Sequence, residues 1–109
     1  TGMVTLAGTQ NFTEFELHAR AILGIPIFDI PLLRNGASAV VLADKENSNW
    51  PTFRGLKEAA NFKNTDFKIF GKPSTRKYRR MAVGLAYGEE PTDTLVKRAK
   101  RVASMIKVD

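Results

Sequence analysis

The sequence predicts an α+β fold, and three observations carry that prediction. A capped amphipathic helix lies near the start, short apolar runs bounded by turn residues occupy the middle, and a second amphipathic helix closes the chain. At 109 residues, 43% hydrophobic and 26% charged, the chain has the size and composition of one small globular domain rather than a disordered segment.

Each element has a local justification. Val4-Thr5-Leu6 reads as a strand. Asn11 or Thr13 then caps a helix, with Glu14 or Glu16 three residues on, as a capping box requires. Phe12, Phe15, Ala19 and Ile22 share one face of that helix, Gly24 suits a left-handed C-terminal position, and Pro26 forbids continuation. Residues 25–33, apolar and holding Pro26 and Pro31, predict an extended connector. Arg34-Asn35-Gly36 is a turn signal, and residues 37–43 predict a buried strand. A polar loop covers 44–51. Residues 53–62 predict a short helix, from Phe53, Leu56, Ala59 and Ala60. Strands are expected at 67–70 and 81–87. Pro91 opens the last helix, with Glu89, Glu90 and Asp93 at its positive end and Leu95, Ala99, Val102 and Ile106 as its core stripe. Lys97, Arg98, Lys100, Arg101 and Lys107 fill its other face, a pattern that reads as solvated surface.

Charge is the functional signal. Seven Lys or Arg and one acid, Asp66, fall between Lys63 and Arg80, so this stretch carries the whole formal charge of +6; the rest of the chain balances, ten basic against ten acidic residues. So local an excess points to an anion site, with a solvated basic loop as the alternative. Antiparallel pairing of the flanking strands would bring Lys72 back beside Arg79 and Arg80, where facing like charges are tolerated best around an anion. A phosphate fits, because Arg offers a bidentate fork and Lys a point charge. Neighbours on a regular strand point to opposite faces, so Arg79 and Arg80 share one anion only if the strand is distorted there or has not begun.

Other chemistry has little support. The chain has no Cys, which excludes disulfides and thiolate metal sites and fits a reducing compartment. The single histidine, His18, lacks ligand partners and reads as structural. Glu89-Glu90 reads as helix-start charge rather than an acid pair. No nucleophile elbow, Walker-type loop or dinucleotide fingerprint is present. Trp50 and Phe53, beside a loop, read as core lids before they read as stacking platforms. No apolar run reaches membrane-span length.

Three separated segments resemble a known family. Residues 13–26 (TEFELHARAILGIP) resemble the helix that ends the ATP-grasp domain of purine-pathway enzymes, and residues 37–42 (ASAVVL) resemble the strand that opens their small C-terminal domain. Phe70-Gly71-Lys72-Pro73, with Arg79-Arg80 and then Gly84, resembles the formate-dependent glycinamide ribonucleotide transformylases. Thr1-Gly2-Met3-Val4-Thr5 resembles that family's Asp-Thr-Gly-Met-Val-Thr segment without its Asp. This start, with no initiator Met, predicts a C-terminal fragment of a longer protein; a trimmed start is the alternative.

The resemblance implies a tail of an ATP-grasp domain over residues 1–33 and a small β-rich, barrel-sandwich-like domain over 34–109 with a closing helix. It implies a cytoplasmic, homodimeric enzyme of purine synthesis. Such an enzyme activates formate with ATP and Mg2+ and passes the formyl group to 5-phosphoribosylglycinamide. In that family the matching lysine and paired arginines bind the ribonucleotide, which assigns substrate binding to Lys72, Arg79 and Arg80 and leaves catalytic and metal-binding residues upstream. Arg76 and Lys77 add charge with no assigned role.

Three other readings compete. The carboxyaminoimidazole ribonucleotide synthetases share a Gly-Lys motif, but theirs continues Arg-Lys-x-Gly-His, and no such His follows here. A basic nucleic-acid-binding module accounts for the charge, yet only Tyr78 is an aromatic residue interleaved with it. A pure packing or dimerisation domain is the third; in the isolated chain the first helix would either dock elsewhere or drive self-association through Phe12 and Phe15.

Overall fold

A computed structural model describes residues 8–109. The strand expected at residues 4–6 lies outside the described residues. Helix α1 (Glu14–Leu23) carries the expected caps. The Thr13 hydroxyl accepts from the Glu16 amide at 3.1 Å, and the Glu16 carboxylate accepts from the Thr13 amide at 2.6 Å. Gly24 closes the helix at φ +67°, and Arg20 stacks over Phe12 while donating to the Pro26 carbonyl. None of the helix residues is buried. His18 is exposed on it, so it fills no structural role in a core. The extended connector that follows leaves Ile30, Leu32 and the full side chain of Phe28 exposed.

Three strands form one antiparallel sheet in the order β1 (Asn35–Leu42), β4 (Arg80–Gly88), β3 (Thr65–Ile69). Of the turn expected at 34–36, Arg34 sits at a bend while Asn35 and Gly36 instead open β1, because tertiary contacts override the local signal. Asn35 and Gly36 pair with Gly88 and Tyr87, Gly36 lies against Thr9, and Arg34 stacks on the Tyr87 ring at 4.0 Å. Nor is β1 buried on both faces: Val41 is 4% exposed while Val40 and Leu42 are nearly half exposed, the alternation of a strand with one covered face. Strand β3 begins two residues before the expected 67–70 strand and ends one short of it, and β4 extends one residue beyond the expected 81–87 at each end.

The helix expected over 53–62 is split. Phe53–Arg54 forms β2, which pairs with β5 (Lys107–Val108), and only Leu56–Ala59 is helical, as α2. Gly55 makes the break at φ +82°, where any side chain would collide with the Met105 carbonyl.

Helix α3 (Thr92–Met105), with Pro91 as its N-cap, lies across the sheet. Leu95, Ala99, Val102 and Ile106, the expected stripe, are all buried, against Met81, Ala82 and Ala86 of β4 and Val41 of β1. The basic face is largely solvated, with Arg98 reaching Glu90 at 3.2 Å. Phe53 packs against this core as expected, but Trp50 is 70% exposed and covers none of it.

Candidate anion site

The loop between β3 and β4 gathers the charge at one end of the sheet. Residues Lys72, Arg76, Tyr78, Arg79 and Arg80 line a cavity of about 390 Å³, so four of its five walls are cations and none is an acid. The three candidates read from the sequence, Lys72, Arg79 and Arg80, therefore meet in one place, joined by Arg76.

The condition on neighbouring arginines is met by the backbone. β4 begins at Arg80, so Arg79 lies before the strand, and Tyr78 ahead of it is left-handed at φ +67°. Next to it the register slips: Val41 faces Ala82 and Leu42 faces Arg80, leaving Met81 as the extra residue of a bulge. Ala43 brackets the distortion, its carbonyl accepting from the Tyr78 amide at 2.7 Å and its amide donating to the Arg79 carbonyl at 2.9 Å. Asn47 and Thr75 exchange a second pair of backbone bonds, at 3.0 and 2.9 Å. These ties to the 43–47 segment have no signature in the sequence and went unread there, as did the left-handed Tyr78.

The side chains are unequally committed. Lys72 donates to the Arg80 carbonyl at 2.5 Å. Arg79 is half-buried and donates to both the hydroxyl and the carbonyl of Ser74, at 3.0 and 3.2 Å. The guanidinium groups of Arg76 and Arg80 have no hydrogen-bond or ion-pair partner among the described residues. The Lys72 ammonium is held below the ordinary lysine range, first by burial and then by repulsion from Arg79, Arg80 and Arg76. Both effects disfavour its charged form, and an anion placed among these cations would reverse the second.

Another cavity, of about 320 Å³, lies beside the outer edge of β1 and includes Lys45, Arg54, Lys100 and Asp109. There Asp109 already engages Arg54 and, at 3.5 Å, Lys45, and its carboxyl sits below the usual range chiefly through the Arg54 bond. With Asp44 and Asp109 in its lining, this cavity suits an anion less well than the acid-free set around Lys72. Among the described residues, no three His, Cys, Asp or Glu gather as a metal ion would require.

A sequence profile of the family described as "PurT, C-terminal" matches residues 36–106. The chain belongs to this family. Relatives of the PurT C-terminal family include proteins named formate-dependent phosphoribosylglycinamide formyltransferase. The one from Chlorobium phaeobacteroides is 63% identical over 108 residues, 99% of the chain and 28% of the relative. The one from Flavobacterium psychrophilum is 58% identical over 111 aligned positions, covering 100% of the chain and again 28% of the relative. The chain thus spans a little over a quarter of the length of the curated relatives it matches. Its fold is also that of part of the N5-carboxyaminoimidazole ribonucleotide synthetase from Thermotoga maritima, at a TM-score of 0.84 and 24% identity, over 99% of this chain and 30% of that one.

Proposed function

We propose that the chain is the C-terminal part of a formate-dependent phosphoribosylglycinamide formyltransferase. In this reading Lys72, Arg79 and Arg80 hold the phosphate of 5-phosphoribosylglycinamide. The observation that carries it is the acid-free pocket, four cations around about 390 Å³, built on the Gly-Lys-Pro and Arg-Arg motifs. The relatives' shared name supplies the reaction.

The role of these residues is positioning. A phosphate fixed far from the reacting amine removes translational and rotational freedom from the substrate, so its binding energy serves the reaction without bond making at this site. In the whole enzyme ATP and Mg2+ would activate formate, and the formyl group would pass to the substrate amine. In this reading those steps belong to the part of the relatives' length that this chain does not span.

The same reading makes residues 1–33 the tail of an ATP-grasp domain and 34–109 a small barrel-sandwich-like domain. It is supported by the family match starting at residue 36 and by a helix α1 with no buried residue among the described residues. A homodimer working in the cytoplasm completes the proposal, on resemblance alone.

The test is Arg79→Ala in the full-length protein. Loss of a charged hydrogen-bond donor is worth about 1.5–3 kcal/mol, so the Michaelis constant for the ribonucleotide should rise by about ten- to a hundredfold. That for ATP should stay within about twofold, on the same scale. Equal loss of ATP affinity would sink the assignment.

A further inference from the structure

We propose that Tyr78 is a specificity-determining wall of the anion pocket, its ring packing against the carbon skeleton of a sugar monophosphate whose phosphate rests on Lys72, Arg79 and Arg80. The inference rests on the phosphate-site reading above and adds what that reading lacks, a reason for the pocket to favour a phosphate ester over bare phosphate.

Tyr78 is the one lining residue without charge. Tyr78 is 70% exposed, so an aromatic side chain stands in water at the rim of an ionic cavity. Its backbone is left-handed at φ +67°, a conformation costly for a bulky residue and readily adopted by glycine. The cost is imposed by the surroundings, since the bonds of Ala43 to the Tyr78 amide and the Arg79 carbonyl fix the chain on both sides. Strain of this kind concentrates where a side chain is being aimed.

The chemistry selects the ligand class. A free phosphate is fully served by the four cations and offers no C–H surface. A pentose phosphate presents weakly polarised C–H groups next to its phosphate, and these suit the electron-rich face of an aromatic ring. That face already attracts a cation, the Lys77 ammonium 5.2 Å from the ring centre.

The backbone supplies a clean test, because Tyr78→Gly accepts the left-handed conformation without strain and so leaves Arg79 and Arg80 in place. The chain, Tyr78→Gly and Tyr78→Phe are each titrated with inorganic phosphate and with ribose 5-phosphate, following the amide resonances of residues 71–80. The unaltered chain and Tyr78→Phe should bind ribose 5-phosphate about five- to tenfold more tightly than phosphate. Tyr78→Gly should bind both ligands alike, at the unaltered affinity for phosphate. A glycine variant that keeps the preference, or that loses both ligands equally, overturns the proposal. Phosphate binding without preference in the unaltered chain also overturns it and leaves the phosphate site standing. No response to either ligand at millimolar concentration removes both.

Discussion

Replacing Gly84 with alanine tests how closely the closing helix is seated on the sheet. Gly84 lies in the middle of β4, and a Cβ there would sit 2.8 Å from both the Ala99 carbonyl oxygen and the Ala103 amide nitrogen, and 3.3 Å from the Ala103 Cα. All three atoms are helix backbone, so no side-chain rotation relieves the contact. Ordinary contact begins near 3.4 Å, and the difference from 2.8 Å requires α3 to withdraw by roughly 0.6 Å. A gap of that size forfeits about a quarter to a half of each dispersion contact it opens. The contacts at risk are those of Leu95, Ala99 and Val102 with Met81, Ala82 and Ala86. Overpacking of this type costs about 1–3 kcal/mol, and alanine returns about 0.4–1 kcal/mol by stiffening the unfolded chain. The net is a loss of about 1–2 kcal/mol, or about 5–10 °C in Tm for a domain this size. Thermal unfolding followed by circular dichroism reads it directly. Gly71→Ala is the control, with nothing within 4 Å of its Cβ and no positive φ. A Gly84→Ala protein as stable as the unaltered chain, or an equal loss in the control, would refute the reasoning.

Two further outcomes follow from the pocket. Ser74→Ala removes one of the two acceptors that hold Arg79 and leaves the carbonyl, so ribonucleotide affinity should fall about threefold, the worth of one ordinary hydrogen bond, with the unfolding midpoint unmoved; an unchanged affinity would mean that Arg79 needs no anchor. The lowered Lys72 pKa has a definite sign. Between that value and the ordinary 10.5 the unfolded chain binds more protons than the folded one, so Lys72 makes stability rise with pH across this alkaline window. Urea midpoints taken through it should therefore climb relative to those of Lys72→Met, and parallel curves would contradict the crowding of Lys72 by its arginines.

What could be read in the sequence divides by the range of the interactions involved. Helix α1 was legible because Thr13, Glu16, Gly24 and Pro26 act within a few residues of one another, and α3 because its stripe repeats at helical spacing. The start of β1 was misread because Asn35-Gly36 is a strong turn signal, overridden by Thr9 and Tyr87 from distant parts of the chain. The over-long helix at 53–62 failed for the same reason, since Phe53 pairs with Val108. At the pocket, charge density marked the stretch from Lys63 to Arg80, because seven cations within eighteen residues need no geometry to be noticed, while Lys72, Arg79 and Arg80 were singled out by the expected strand pairing and the resemblance. Their convergence rests on Ala43, Asn47 and a left-handed tyrosine. Nothing in those residue types announces such roles, because an Ala supplies only its backbone and Tyr has no preference for that conformation.

The ties between residues 43–47 and 75–79 also bear on how the chain meets a protease. Arg76 and Lys77 offer trypsin two adjacent exposed targets in this loop, with Arg79 and Arg80 just beyond Tyr78. Cleavage, however, requires an extended stretch of backbone to leave its partners and enter the enzyme cleft. Here the amides of Thr75, Tyr78 and Arg79 are all engaged, two of them with the 43–47 segment. Peeling the loop away therefore means loosening the end of β1 with it, and the most basic stretch of the sequence becomes a slow trypsin site for as long as the sheet holds together.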